Sequence, residues 1–160
     1  MQRRHILLGL AALGAGALVA PHLRAAPRPK GQKGWQLSEA AWKERLTPRQ
    51  FHVLRQAGTE RPFSHPFDQE KRRGTFACAG CRLPVYDSSR KYDSGTGWPS
   101  FWAALPGAVG TQTDYDIGYP RTEVHCRRCG GHLGHVFDDG PRPTGKRHCI
   151  NGTALVFTPA

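Results

Sequence analysis

Four of the five cysteines in this chain fall into two Cys-x-x-Cys pairs, Cys78/Cys81 and Cys126/Cys129, and the fifth, Cys149, stands alone. Two thiolates on one tight turn can grip a single ion at about 2.3 Å each, and two such turns complete a tetrahedral shell that suits Zn²⁺. Gly80, Gly130 and Gly131 leave room for the close turns such knuckles need. Four protein sulfurs leave no open position for water or substrate, so one zinc with a structural role is expected. The competing reading is two disulfides or a redox dithiol, which an oxidising compartment would favour. Cys149 lies in Lys146-Arg147-His148-Cys149-Ile150-Asn151. On a strand, Arg147, Cys149 and Asn151 share one face, and a guanidinium beside a thiol favours the nucleophilic thiolate. Taken alone, a single cysteine is more often an inert buried filler. His132 and His135 stand three residues apart in Gly131-His132-Leu133-Gly134-His135-Val136-Phe137. They could hold a second metal, but the cysteine quartet already fills one shell, so proton transfer is the preferred role. On a regular strand the two rings face opposite ways; for both to reach the sulfur, Gly134 must permit a turn.

The elements that position these groups are mainly β. Gly (19) and Pro (13) make up a fifth of the 160 residues, which disfavours a helical bundle and favours short strands joined by turns. No repeat or low-complexity tract is present. Apolar residues at helical spacing between Ser38 and Leu46 predict one helix, and Thr47-Pro48-Arg49-Gln50 announces another, from Pro48 to about Ala57, ending at Gly58. Strands are predicted around Thr75–Ala77, Pro84–Tyr86, Glu123–His125 and from Cys149 to Phe157. Ahead of the domain, Arg3-Arg4 followed by the apolar stretch Ile6–Ala20 reads as an export signal of the twin-arginine type over residues 1–26. A periplasmic destination follows, with an uncleaved membrane anchor as the alternative. Residues 27–36 read as a solvated linker and 37–159 as the domain. The net charge of +11 loses only three arginines with the signal. Such basicity is compatible with a zinc-ribbon module that binds nucleic acid, although an export signal and scattered charges argue against one.

Four segments in order, Gly58-Thr59-Glu60-Arg61-Pro62-Phe63, Gly95-Thr96-Gly97-Trp98-Pro99-Ser100-Phe101, Gly131 to Phe137 and Arg147 to Asn151, interleave with both knuckles. Together they resemble the B-type peptide methionine sulfoxide reductases, which reduce the R epimer, and the resemblance runs from about Leu37 to Phe157. It implies the β-tent-like methionine-R-sulfoxide reductase fold: two antiparallel sheets, short N-terminal helices and a distal four-cysteine zinc. It also implies roles. Cys149 attacks the sulfoxide sulfur, His132 and His135 help protonate the oxygen, Arg147 and Asn151 position and activate the thiolate, and Trp98 receives the S-methyl group. The products are methionine and a sulfenic acid on Cys149.

Two positions depart from that pattern. Many members carry a recycling cysteine where this chain has Thr96, and no sixth cysteine exists here. The sulfenic acid is therefore expected to be reduced by an external thiol or a thioredoxin-like donor. His148 replaces a usual aromatic, for which a packing or surface role is expected. The expected partners are oxidised proteins or peptides and a thiol reductant, without nucleic acid, and the expected state is a monomer. The one methionine, Met1, lies in the signal, which fits a protein working among oxidants.

Overall fold

The two helices begin where their capping residues dictate. In the computed structural model, which describes residue 27 and residues 29–160, the Ser38 hydroxyl accepts from Ala41 N at the start of α1, Glu39–Arg45. At α2, Pro48–Gln56, Thr47 Oγ1 accepts from Gln50 N while Gln50 Oε1 accepts from Thr47 N. This reciprocal box satisfies two N–H groups that have no partner within the helix. Ala57 ends α2 in the left-handed conformation, with φ of 53°. Both helices bury one face, through Trp42 in α1 and Phe51, Val53 and Leu54 in α2. The export segment expected over residues 1–26 lies outside the described residues. Among those that are described, no helix is long and apolar enough to cross a membrane.

The remainder is β structure in two antiparallel sheets. The strands are β1 (Gly74–Cys78), β2 (Pro84–Asp87), β3 (Lys91–Tyr92), β4 (Ser100–Phe101), β5 (Val109–Asp114), β6 (Arg121–Cys126), β7 (His132–Phe137), β8 (Arg147–Ile150) and β9 (Leu155–Pro159). One sheet has the order β2-β1-β9, the other β3-β4-β8-β7-β6-β5. They meet through fully buried aromatic rings. Phe76 of β1 sits edge-on to Phe101 of β4 at 5.2 Å, and Tyr86 of β2 stacks on Phe101 at 4.3 Å. His148 packs into the same cluster, with its Nδ1 3.1 Å from Tyr86 Oη, and burial lowers its pKa to about 4.

Two sequence expectations change on contact with the structure. The segment from Cys149 to Phe157 is not one strand: β8 ends at Ile150, a 3₁₀ turn spans Gly152–Ala154, and β9 joins the other sheet. The break has a cause. The Glu60 carboxylate accepts from the backbone N–H groups of Gly152 and Thr153, drawing the chain away from its strand path. The stretch expected to be a solvated linker is also partly docked. Gln32 N donates to Arg128 O at 2.8 Å, and Gly130, at φ 68°, comes so near that a Cβ there would stand 2.2 Å from Pro29 O. Composition cannot reveal such docking, because it is made by backbone groups.

Candidate functional site

The six-stranded sheet sets out a single rank of polar side chains. Ser100 pairs with Cys149, Cys149 with His135, His135 with Glu123, and Glu123 with Gln112. Directly opposed residues of antiparallel strands share a face, so these five groups, drawn from β4, β8, β7, β6 and β5, lie side by side. Above them is a cavity of about 280 Å³, whose lining includes Cys149, His135, Arg147, Asn151, Thr96 and Trp98. The sequence-predicted catalytic set is thus brought together with one exception. His132 is 1% exposed and sits behind His135, with ring centroids 5.3 Å apart, rather than in the cavity wall.

Both rings occupy the same side of β7, although they stand three positions apart. The device is a bulge, not the turn expected at Gly134. Val124 pairs with Gly134 but His125 pairs with His132, so Leu133 is an extra residue that resets the alternation. Gly134 has a different function. A Cβ there would stand 2.1 Å from Cys149 O, so only glycine lets β8 approach this closely. Gly134→Ala is expected to push β8 outward, cost about 1–3 kcal/mol of stability and lower turnover about 100-fold, as read by denaturant melts and steady-state assay.

Each ring is held by a carboxyl group. His132 Nδ1 donates to Glu123 Oε1 at 2.7 Å, and His135 Nε2 donates to Asp114 Oδ2 at 2.6 Å. The nitrogen of His132 opposite its Glu123 bond, Nε2, is buried with no hydrogen-bond partner among the described residues. Burial lowers the pKa of His135 despite Asp114, favouring the neutral ring at neutral pH. Burial pushes Asp114 up, but the Asp116 N–H, His135 and Arg121 outweigh it and hold the carboxyl below its usual range.

The thiol differs from the sequence expectation of an acidic group. Burial pushes the Cys149 thiol up, and Arg147 together with the Thr96 hydroxyl pulls it only part of the way back. The guanidinium is less available than composition suggests, because it donates two bonds to Asp139, at 2.9 and 2.8 Å. Stacking over Phe137 at 4.5 Å fixes its plane. Thr96, in the position where a recycling cysteine is usual, lines the same cavity as Cys149, with its hydroxyl 2.8 Å from Ser94 Oγ.

The opposite wall is braced by a residue whose role the sequence reading did not isolate. Glu60 accepts Trp98 Nε1–H at its carbonyl, donates its own N–H to Asn151 Oδ1, and caps the turn after β8 with its carboxylate. Asn151 Nδ2 in turn donates to Leu133 O. Its amide is therefore committed to joining wall and sheet, a positioning role rather than a bond to sulfur. Asp114, Glu123 and Asp139 also went unseen. No local pattern marks them; only strand register and a hairpin return set them beside their partners. Glu60 lies within the Gly58–Phe63 motif and Glu123 within a predicted strand, but neither setting marks its partner.

The four remaining cysteines form a second centre, and none of them lines the cavity. Their sulfurs all fall within 4.8 Å of one another, with Cys78 to Cys129 at 3.7 Å and Cys81 to Cys126 at 3.5 Å. A tetrahedral site with arms of about 2.3 Å has edges of about 3.8 Å, so the quartet fits a thiolate-bound ion. All five cysteines are unpaired, and every sulfur of the quartet has a close neighbour in the other knuckle, an arrangement that suits a shared ion better than a disulfide within either Cys-x-x-Cys. Mutual hydrogen bonding holds Cys81 and Cys126 down and pushes Cys78 and Cys129 up, as sulfurs do when too close to be charged alike without a cation.

Residues 46–159 match the family model described as the SelR domain. The chain is 52% identical over 123 residues to a protein of Agrobacterium fabrum named peptide methionine sulfoxide reductase MsrB, covering 76% of this chain and 91% of that one. A protein of the same name from Methanosarcina barkeri is 51% identical over 127 residues, covering 79% and 89%. Another, from Leptospira interrogans, is 50% identical over 121 residues, covering 75% and 92%.

Proposed function

The chain belongs to the SelR-domain family of MsrB peptide methionine sulfoxide reductases, and we propose that it reduces methionine-R-sulfoxide in oxidised proteins with Cys149 as nucleophile. The observation that carries this reading is the register line that sets Cys149 beside His135 beneath a cavity walled by Trp98. Trp98, fixed through its Nε1–H, offers an apolar ring for the S-methyl group. The Cys149 sulfur attacks the sulfoxide sulfur; the transient S–S bond and the substrate S–O bond then break as the protonated oxygen bonds to the Cys149 sulfur, which leaves the thioether and a sulfenic acid on Cys149.

The proton balance explains why a raised thiol pKa is compatible with this chemistry. A sulfoxide oxygen must be protonated before it leaves, and the thiol must lose a proton before it attacks. Those are the same proton: thiol plus sulfoxide yields sulfenic acid plus thioether, with none gained or lost. His135, backed by His132 and its Glu123 partner, is placed to carry it from sulfur to oxygen. Arg147 stabilises the thiolate while it exists, and Asn151 keeps the wall in place.

Recycling uses two equivalents of an external thiol, from a thioredoxin-like donor or a small thiol. The first displaces water from the sulfenic acid to form a mixed disulfide, and the second releases Cys149. Zinc is the ion that suits the four-sulfur site, and its role is structural. Twin-arginine export, periplasmic residence and a monomeric state complete the proposal. A nucleic-acid-binding zinc ribbon is not favoured, because it gives the Cys149 rank and its cavity no task.

The deciding experiment compares R and S epimers of a sulfoxide peptide, with dithiothreitol and then with a thioredoxin system. Reduction of the R epimer alone is expected. A sulfenic acid trapped on Cys149 in the absence of donor is expected as well, at one oxygen per chain. Reduction of the S epimer, or oxygen appearing at another cysteine, would contradict the assignment.

A further inference from the structure

Three arginines from separate parts of the chain converge on the cysteine knuckles. Arg45, at the end of α1, donates its Nε–H to Gly80 O at 3.1 Å. Arg55, in the last turn of α2, donates from Nη1 to Cys129 O at 3.0 Å. Arg128, inside the second knuckle, reaches across to Cys81 O of the first at 3.1 Å. All three guanidiniums also lie over tryptophan rings. Arg45 and Arg128 are 5.2 and 6.0 Å from the centre of Trp35, and Arg55 is 4.8 Å from that of Trp42. The two rings stack at 6.3 Å, so cations and indoles form one continuous layer.

Four thiolates around a divalent ion carry two excess negative charges in a buried setting, where an uncompensated charge is costly. Backbone carbonyls turned outward from the knuckles add negative dipole at the same place. We infer that Arg45, Arg55 and Arg128 form a cationic collar that neutralises the metal–tetrathiolate unit and retains its ion. This inference rests on the metal assignment above. The collar extends beyond charge. Arg128 ties one knuckle to the other, Arg55 ties the second to α2, and Trp35 brings the docked stretch before α1 into the same layer. An Arg is suited to this position because its planar, permanently charged fork can stack and donate together. Arg45 is exposed and therefore screened by solvent, whereas Arg55 and Arg128 are half-buried, so the latter two carry most of the effect.

The test uses the full metal-loaded protein and follows transfer of zinc to a chromogenic chelator at fixed pH. Arg55→Met and Arg128→Met keep length but remove charge, and are expected to release the ion at least 10-fold faster than wild type. Arg55→Lys and Arg128→Lys are expected to remain within 3-fold of wild type, and so is the control Arg49→Met, which lies outside the layer. Sulfoxide turnover by the loaded variants, followed as a separate readout, is expected to be unchanged. A Met variant purified without zinc whose Lys counterpart retains it supports the collar equally. Wild-type release rates in both Met variants would overturn it. Lys variants that lose zinc as fast as the Met variants would also overturn it, since shape and not charge would then be responsible. Wild-type protein without bound metal would overturn the metal assignment as well as the collar.

Discussion

Cys149→Ser is expected to abolish sulfoxide reduction, lowering turnover at least about 10³-fold, while folding and metal content stay as in the wild type. The substitution keeps volume and polarity next to Ser100 and His135, so the strand pairing on both sides of β8 has no reason to change. What is lost is chemical. A hydroxyl in this half-buried setting ionises far less readily than a thiol, and it cannot accept the oxygen as a sulfenic acid. Mass spectrometry after a single turnover without donor separates this account from its rivals: the wild type should gain one oxygen at Cys149 and the serine variant none. Turnover that survived the substitution would remove the foundation of the proposed mechanism.

Cys78→Ser is expected to act through stability instead. Cys78 is fully buried at the end of β1, in register with Leu155 of β9, and its sulfur stands 3.7 Å from that of Cys129. Removing one of four thiolates leaves an incomplete shell, and structural zinc commonly contributes on the order of 10 kcal/mol to folding. A loss of that order would exhaust most or all of a typical domain's margin of about 5–15 kcal/mol. Emission spectroscopy should find substoichiometric metal, and thermal unfolding should move down by tens of degrees or show no cooperative transition. A stable, cooperative, metal-free variant would refute the structural role.

Those two cysteines were legible in the sequence for different reasons. The knuckles are local, since Cys-x-x-Cys fixes its own geometry, and the helix start at Thr47-Pro48 is equally local; both appear in the structure where the spacing puts them. Cys149 could be singled out by elimination once the other four were paired. Its surroundings could not. Asp114, Glu123 and Asp139 reach the site through strand register and a hairpin return, and nothing in the residues around them distinguishes them from surface acids. The bulge at Leu133 escaped for a similar reason, because alternation along β7 reads as regular until its partner is known. The interruption after Ile150 is imposed by Glu60 across a long span of sequence, and the pKa of Cys149 depends on burial that no segment shows alone. The resemblance to the reductase family implies a division of roles, but it gives no sign of the salt bridge that draws Arg147 toward Asp139.

The two knuckles come from different sheets. The first follows β1, in the three-stranded sheet, and the second joins β6 to β7, in the six-stranded sheet that bears the Cys149–His135 rank. An ion shared between them would act as a rivet: neither sheet could shear past the other without breaking a metal–sulfur bond. The site over β7 and β8 would then be anchored mechanically from a point outside it, and the loosening that follows loss of the ion would travel straight down β7, whose first residue lies three positions beyond Cys129.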